Sequence, residues 1–156
     1  MTRNRVGLVA FLIAAVLGVA VFGVLAWRSV TVERMDGTEA QNSFEDALAG
    51  IPSRVPLVHR EADGAFVRET GKGPAGPPAT QLHVLAYHVE GQRLVRADVP
   101  LWLFKVKGPA VEYALRGTGF DLEALGLTAG DLERAGPCVV LDEVRATGDR
   151  VLAWTN

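Results

Sequence analysis

Charge is missing from the first part of this 156-residue chain, and its absence decides how the rest is read. From Val6 to Trp27 there is no Asp, Glu, Lys, Arg or His, and no acidic residue precedes Glu33. At about 1.5 Å of rise per residue, a helix over this run would be roughly 33 Å long, enough to cross a hydrocarbon core of about 30 Å. A soluble core helix keeps polar positions on the face that meets water. The run is therefore expected to form a single N-terminal transmembrane helix. A cleaved signal peptide has a shorter apolar region of about 7–15 residues and then small residues at the cut. Val24-Leu25-Ala26 offers such a site before Trp27, but the apolar run reaches it without a polar break, so retention is expected. Trp27 and Arg28 read as the membrane anchor interface, an amphipathic ring followed by a charge that stays among the headgroups.

Cysteine is nearly absent. Cys138 stands alone, so no intrachain disulfide is available, and no Cys follows the apolar run to accept a bacterial lipoprotein modification. The remaining chain must hold together by its core, for which about 120 residues suffice. Lysine is scarce too, with only Lys72, Lys105 and Lys107. Residues 29 to 156 carry 13 Lys and Arg against 18 Asp and Glu, a net charge of −5. A nucleic-acid partner would require a basic patch on a domain of high pI, and none is expected here. The preference for Arg over Lys, with abundant Ala, Gly, Val and Leu, is a compositional association with GC-rich bacterial genomes. The three serines, Ser29, Ser43 and Ser53, sit in no Gly-x-Ser-x-Gly elbow.

Arg3, Arg5 and the terminal amine lie on one side of the apolar run, and Arg28 and Arg34 on the other. The positive-inside rule then puts the N-terminus in the cytoplasm and the C-terminal domain outside it, as a single-pass protein of the cell membrane. The chain divides into a tail and anchor (1–28), a short juxtamembrane connector (29–35) and a single α+β domain (36–156). At about 3.3 Å per residue the connector reaches no more than about 25 Å.

Within the domain, Asp36 with Glu39, or Thr38 with Gln41, fits a capping box at the start of a helix over 38–49, which Gly50-Ile51-Pro52 ends. Two short strands flank Ala62-Asp63-Gly64, and a Gly/Pro loop over 71–79 interrupts. Residues 82–90 and 93–99 form a hairpin turning at Gly91-Gln92. The stretch 101–107 reads as a half-buried strand with Trp102, Phe104 and Val106 inward and Lys105 and Lys107 outward. Three short helical pieces follow, opened by Pro109, Asp121 and Thr128 and stopped by Gly117, Gly126 and Gly136. A last hairpin runs from Cys138 to Thr155 around Thr147-Gly148, and Val139-Val140-Leu141, apolar on both faces, suggests a central strand. The expected architecture is a mainly antiparallel β-sheet with short helices on one side.

No constellation commits the chain to a chemistry. His83 and His88 lie five residues apart in a strand and so face opposite ways, and a metal would need further ligands. Cys138, behind Gly136-Pro137 and leading an apolar strand, has the setting of a buried, inert thiol. Asp142 and Glu143 are adjacent and point apart; Asp142 is expected in a structural ion pair with an Arg. No catalytic, cofactor-binding or metal site is expected. Leu101 and Leu103, on the far side of the presumed strand from Trp102, offer with that Trp a candidate binding surface. The expected function is a non-catalytic protein- or lipid-binding accessory domain of the bacterial cell envelope. It would be held in the lipid bilayer through residues 6–27 and engage an envelope protein partner. The alternative is a membrane-anchored hydrolase using a pocket formed only in three dimensions, with Asp142 or a His.

Overall fold

The computed structural model describes residues 30–61, 64–68, 76–106 and 109–156, together with Ile13. Among these, no helix is long and apolar enough to cross a membrane. The expected span over 6–27, apart from Ile13, and the anchor residues Trp27 and Arg28 lie outside the described residues, as do 71–75 of the Gly/Pro loop and Ala62-Asp63 of the first turn.

The fold is α+β, built on an antiparallel five-stranded sheet. In chain order the elements are β1 (Val30–Arg34), α1 (Gly37–Ala49), β2 (Val58–Arg60), β3 (Phe66–Arg68), β4 (Gln81–His88), β5 (Arg93–Pro100), α2 (Leu101–Lys105), α3 (Pro109–Leu115), α4 (Ala129–Ala135), β6 (Val139–Val144) and β7 (Arg150–Thr155). The sheet order is β1-β5-β4-β7-β6, and β2 and β3 form a separate hairpin. Both long hairpins turn where the sequence indicates, with Gln92 and Gly148 at positive φ.

β4 lies at the centre, and its alternation sorts the core into two layers. Leu82, Val84 and Ala86 face one way with Val95, Ala97, Val99, Val151 and Ala153; Leu85 and Tyr87 face the other with Leu94 and Leu152. Since β4 and β7 are apolar on both faces, each face must be covered. α1 covers the second through Ala40 and Phe44, while α2, α3, α4 and the chain between α3 and α4 cover the first. The helices thus lie on both sides of the sheet and not on one, because the run Val84-Leu85-Ala86 leaves no face for solvent.

α1 begins where expected: the Asp36 carboxylate accepts from the Thr38 and Glu39 amides at 2.8 and 2.9 Å, satisfying two donors that a helix start leaves unpaired. Arg150 on β7 holds the helix down. Its guanidinium grips Asp142 with two bonds of 3.0 and 2.9 Å, donates to Gln41 Oε1 at 3.1 Å, and lies 4.6 Å from the Phe44 ring centroid.

Three expectations are corrected. The connector over 29–35 is instead largely β1, paired along its length with β5, so that Val30 sits opposite Ala97 and Arg34 opposite Arg93. The stretch after Pro100 is not a strand but the short helix α2. Leu101 and Leu103 are 1% and 9% exposed, while Trp102 and Val106 are 49% and 61% exposed, which reverses the expected facing. At 100° per residue, Trp102 and Val106 fall together on the side away from Leu101 and Phe104. Alternation over so few residues fits a strand or a single helical turn equally well. Finally, β6 is an edge strand. A bulge between Val139 and Leu141 sends Val139 into the layer under α1 and Val140 and Leu141 into the other. The outer edge is covered by 53–57: Val139 N donates to the Ser53 carbonyl at 3.1 Å, and Leu57 N to the Val139 carbonyl at 3.0 Å.

The reversal around α2 has a measurable consequence. Leu101→Ala empties a fully buried site and should cost about 2–5 kcal/mol. Trp102→Ala removes a half-exposed ring and should cost well under half as much. Urea melts of a fragment 30–156, which keeps β1, compare the two; an equal or larger loss for Trp102→Ala would contradict this facing.

Candidate functional site

The layer over the first face of the sheet does not close completely. α3 ends at Leu115, and the chain then makes two tight turns, through Gly117 and Gly126, before α4. Thr118 is buried: its hydroxyl donates to the Leu115 carbonyl at 2.7 Å and accepts from the Phe120 amide at 3.2 Å. Gly119 has φ +67, and a Cβ there would come within 2.8 Å of the Arg145 guanidinium, which donates to its carbonyl. A side chain at 119 would break this clasp between the loop and the β6–β7 hairpin. Asp121 then caps a single turn by accepting from Glu123 N at 2.9 Å and Ala124 N at 3.2 Å, and Gly126, at φ +65, ends it.

α4 starts in the capping box formed by Thr128 and Asp131. Asp131 also takes Arg68 at 2.9 Å and Arg134 at 2.6 Å, tying the β2–β3 hairpin to this layer. The Thr128 hydroxyl bond, followed by the bonds from Arg68, the Thr128 amide and Arg134, holds the Asp131 carboxyl far below the usual carboxylate range against the opposing effect of burial. The β2–β3 hairpin is fixed a second time by Arg60, which pairs with Glu143 at 2.6 Å and lies over the Phe66 ring.

Between α2, α3 and this looped segment lies an open groove of about 1040 Å³. Its apolar lining comes from Phe104, Val111, Leu115, Phe120, Leu122 and Leu127, and its polar lining from Glu112, Asp121, Glu123 and Thr128. Three carboxylates and no Lys or Arg stand among its described lining residues. The chemistry this allows is complementarity: an apolar trough with a negative rim, suited to a ligand that is apolar on one side and cationic on the other.

The titratable residues singled out in the sequence are placed elsewhere and apart. His83 lies on the α1 face of the sheet, stacked on Trp154 at 5.1 Å between centroids, with Nδ1 2.5 Å from Asp98 Oδ1; its Nε2 is buried and has no hydrogen-bond partner among the described residues. His88 points to the other face, as the odd spacing requires, with Nε2 2.6 Å from the Gly117 carbonyl and Nδ1 3.4 Å from Asp149 Oδ2. Asp149 also accepts from the Val89 amide at 2.9 Å, and that bond, ahead of His88, lowers its pKa. Asp142 is in the ion pair with Arg150, the structural role expected of it. No three His, Cys, Asp or Glu among the described residues gather closely enough to hold a metal.

Of the candidate binding surface, Leu101 and Leu103 are in the core and only Trp102 is presented to the outside. Of the groove residues, Asp121 and Thr128 were visible in the sequence as caps, whereas Phe104 was read as part of a strand. What sequence reasoning missed is that three separate segments bring them around one depression. Compared with protein-family models, curated proteins and solved structures, the chain finds no match.

Cys138 is buried beside Thr155, and burial raises its thiol pKa. In the folded protein it should react with a thiol reagent far more slowly than in urea, since both water and thiolate are excluded; equal rates would show an accessible nucleophile. The lowered pKa values of Asp131 and Asp149 mean that folding favours their ionised forms. Their contribution is full above the unfolded carboxylate value of about 3.9 and is lost as pH falls through the folded values. Urea midpoints should therefore hold from pH 7 to about pH 5 and fall below about pH 4. The deficit of Asp131→Asn relative to the parent should shrink over that acid range; a constant deficit would show that the charge is not what Asp131 contributes.

Proposed function

We propose that this protein is a membrane-tethered, extracytoplasmic binding module of the bacterial cell envelope, without catalytic activity of its own. Residues 6–27 are its tether, and the groove beside α3 receives a segment of a partner protein. The observation that carries the reading is the make-up of the groove. Among its described lining residues the side chains are apolar apart from Thr128, Glu112, Asp121 and Glu123, the three carboxylates give it negative charge, and none is a histidine or a thiol. A hydrolase working through Asp142, a His or the thiol would bring that group into its concave site beside its partners. Here His83, His88, Asp142 and Cys138 are each committed to a different neighbour, outside that depression. The trough best fits an amphipathic segment whose apolar side chains enter it while Lys or Arg side chains meet its rim.

A fragment 30–156 labelled for NMR can be titrated with two designed peptides of one amphipathic pattern, one of Leu and Lys, the other of Leu and Glu. The Lys peptide should shift the amides of residues 111–115 and 120–129, and the Glu peptide should not. At low salt, Glu112→Gln with Glu123→Gln should weaken binding by about two- to thirtyfold, as exposed pairs are worth about 0.2–1 kcal/mol each. Equal binding of both peptides, or shifts confined to other surfaces, would remove the groove from the argument.

A further inference from the structure

The register of β1 fixes which end of the domain is nearest the tether. β1 runs antiparallel to β5 with Val30 opposite Ala97. The chain leading into Val30 therefore arrives at the end of the sheet where β5 finishes at Pro100 and α2 begins. Val30 and Phe104 of α2 pack against the same core layer there. Trp27, the last residue of the uncharged run, is three residues before Val30 and can lie no more than about 11 Å from it. Because the intervening segment is so short and β1 is hydrogen-bonded into the sheet, the domain cannot swing away on a flexible connector. Its α2 end is held at the level where the apolar run stops.

At that end α2 and its C-terminal cap turn Trp102 and Val106 outward on one side, 49% and 61% exposed. Trp is the residue that membrane interfaces favour, and Val106 adds apolar area beside it. Among the described residues the neighbouring cation, Lys105, is paired with Glu133 at 2.7 Å, so the described patch offers apolar and aromatic area more than charge. We propose that the outer side of α2, through Trp102 and Val106, rests in the headgroup region of the bilayer and gives the domain a second, non-covalent attachment beside its tether. This rests on the tether assigned under the proposed function. It commits to lipid as the occupant because the register places the patch at the tethered end.

The test uses the full chain reconstituted in phosphatidylcholine vesicles. Trp27→Phe with Trp154→Phe leaves Trp102 as the only Trp. Its emission should be blue-shifted, shielded from iodide, and quenched more by lipids brominated near the headgroup than by lipids brominated near the chain ends. Trp27→Phe alone keeps Trp154 in its stack with His83 and gives the same comparison if losing Trp154 disturbs the sheet. Flotation of the vesicles after an alkaline wash reads the tether separately. Chain that floats while Trp102 is quenched by iodide and not by bromine overturns the inference and leaves the tether standing. Chain that floats with Trp102 shielded from both overturns it too, because protein, a second copy or another chain, then covers the ring. Chain that does not float overturns the tether and this inference together.

Discussion

The middle of β4 has no polar face. Val84, Leu85 and Ala86 are all fully buried, as are Val151, Leu152 and Ala153 opposite them on β7. In an antiparallel sheet one face usually meets water and alternation is clean; here burying both faces forces a three-layer arrangement. α1 lies on one side, and a patchwork of short helices and turns on the other. Much of the architecture answers that constraint. Arg150, Asp142 and Phe44 pin α1 over its face, and the bulge in β6 lets three consecutive apolar residues serve both layers.

The two covers differ in kind, and the difference creates the groove. One continuous helix of 13 residues seals its face of the sheet. The opposite face is covered by α2, α3 and α4, each of seven residues or fewer, joined by turns that need Gly117, Gly119 and Gly126 at positive φ. Short elements cannot interdigitate along their whole length as one long helix can, so a depression remains where α3 and the turn after Asp121 diverge. Capping does for this layer what length does for α1. Thr118, Asp121 and the Thr128–Asp131 box satisfy the backbone donors and acceptors that so many helix ends would otherwise leave unpaired.

What could be read from the sequence follows from how local each determinant is. The caps at Asp36, Asp121 and Thr128, the stops at Gly117, Gly126 and Gly136, and the turns at Gly91-Gln92 and Gly148 are decided within a few residues, and the structure has them where the sequence indicates. The opposite facing of His83 and His88 follows from strand parity alone. Leu101 to Val106 failed because one turn of helix and a short strand share an alternating pattern, and the choice was made by Pro100 ending β5 and by the core that Leu101 and Phe104 enter. β1 was hidden because Glu33 and Arg34 look like a polar connector, although an edge strand tolerates such residues well. The Asp142–Arg150 pair was foreseeable as a partly buried carboxylate in need of a cation. Its extension to Gln41, 109 residues away, was not, since only the fold brings α1 there.

The reassignment of residues 30–34 from connector to strand also changes what the groove can receive on the proposed reading. A free connector would let the domain sample positions up to about 25 Å from the bilayer and present any face to a partner in solution. A tether that enters the sheet directly removes that freedom and fixes the long axis of the strands relative to the point of attachment. α3 follows α2, and the turn after it brings the Gly117 carbonyl to His88, at the far end of β4 from α2. On the proposed reading, the groove between α2 and α3 is then held within one domain's length of the membrane surface, and a partner that is itself anchored in or lying on the same bilayer fits it best. Two molecules confined to one surface meet at a raised effective concentration, which lowers the affinity that such a reading asks of an open trough with an exposed acidic rim.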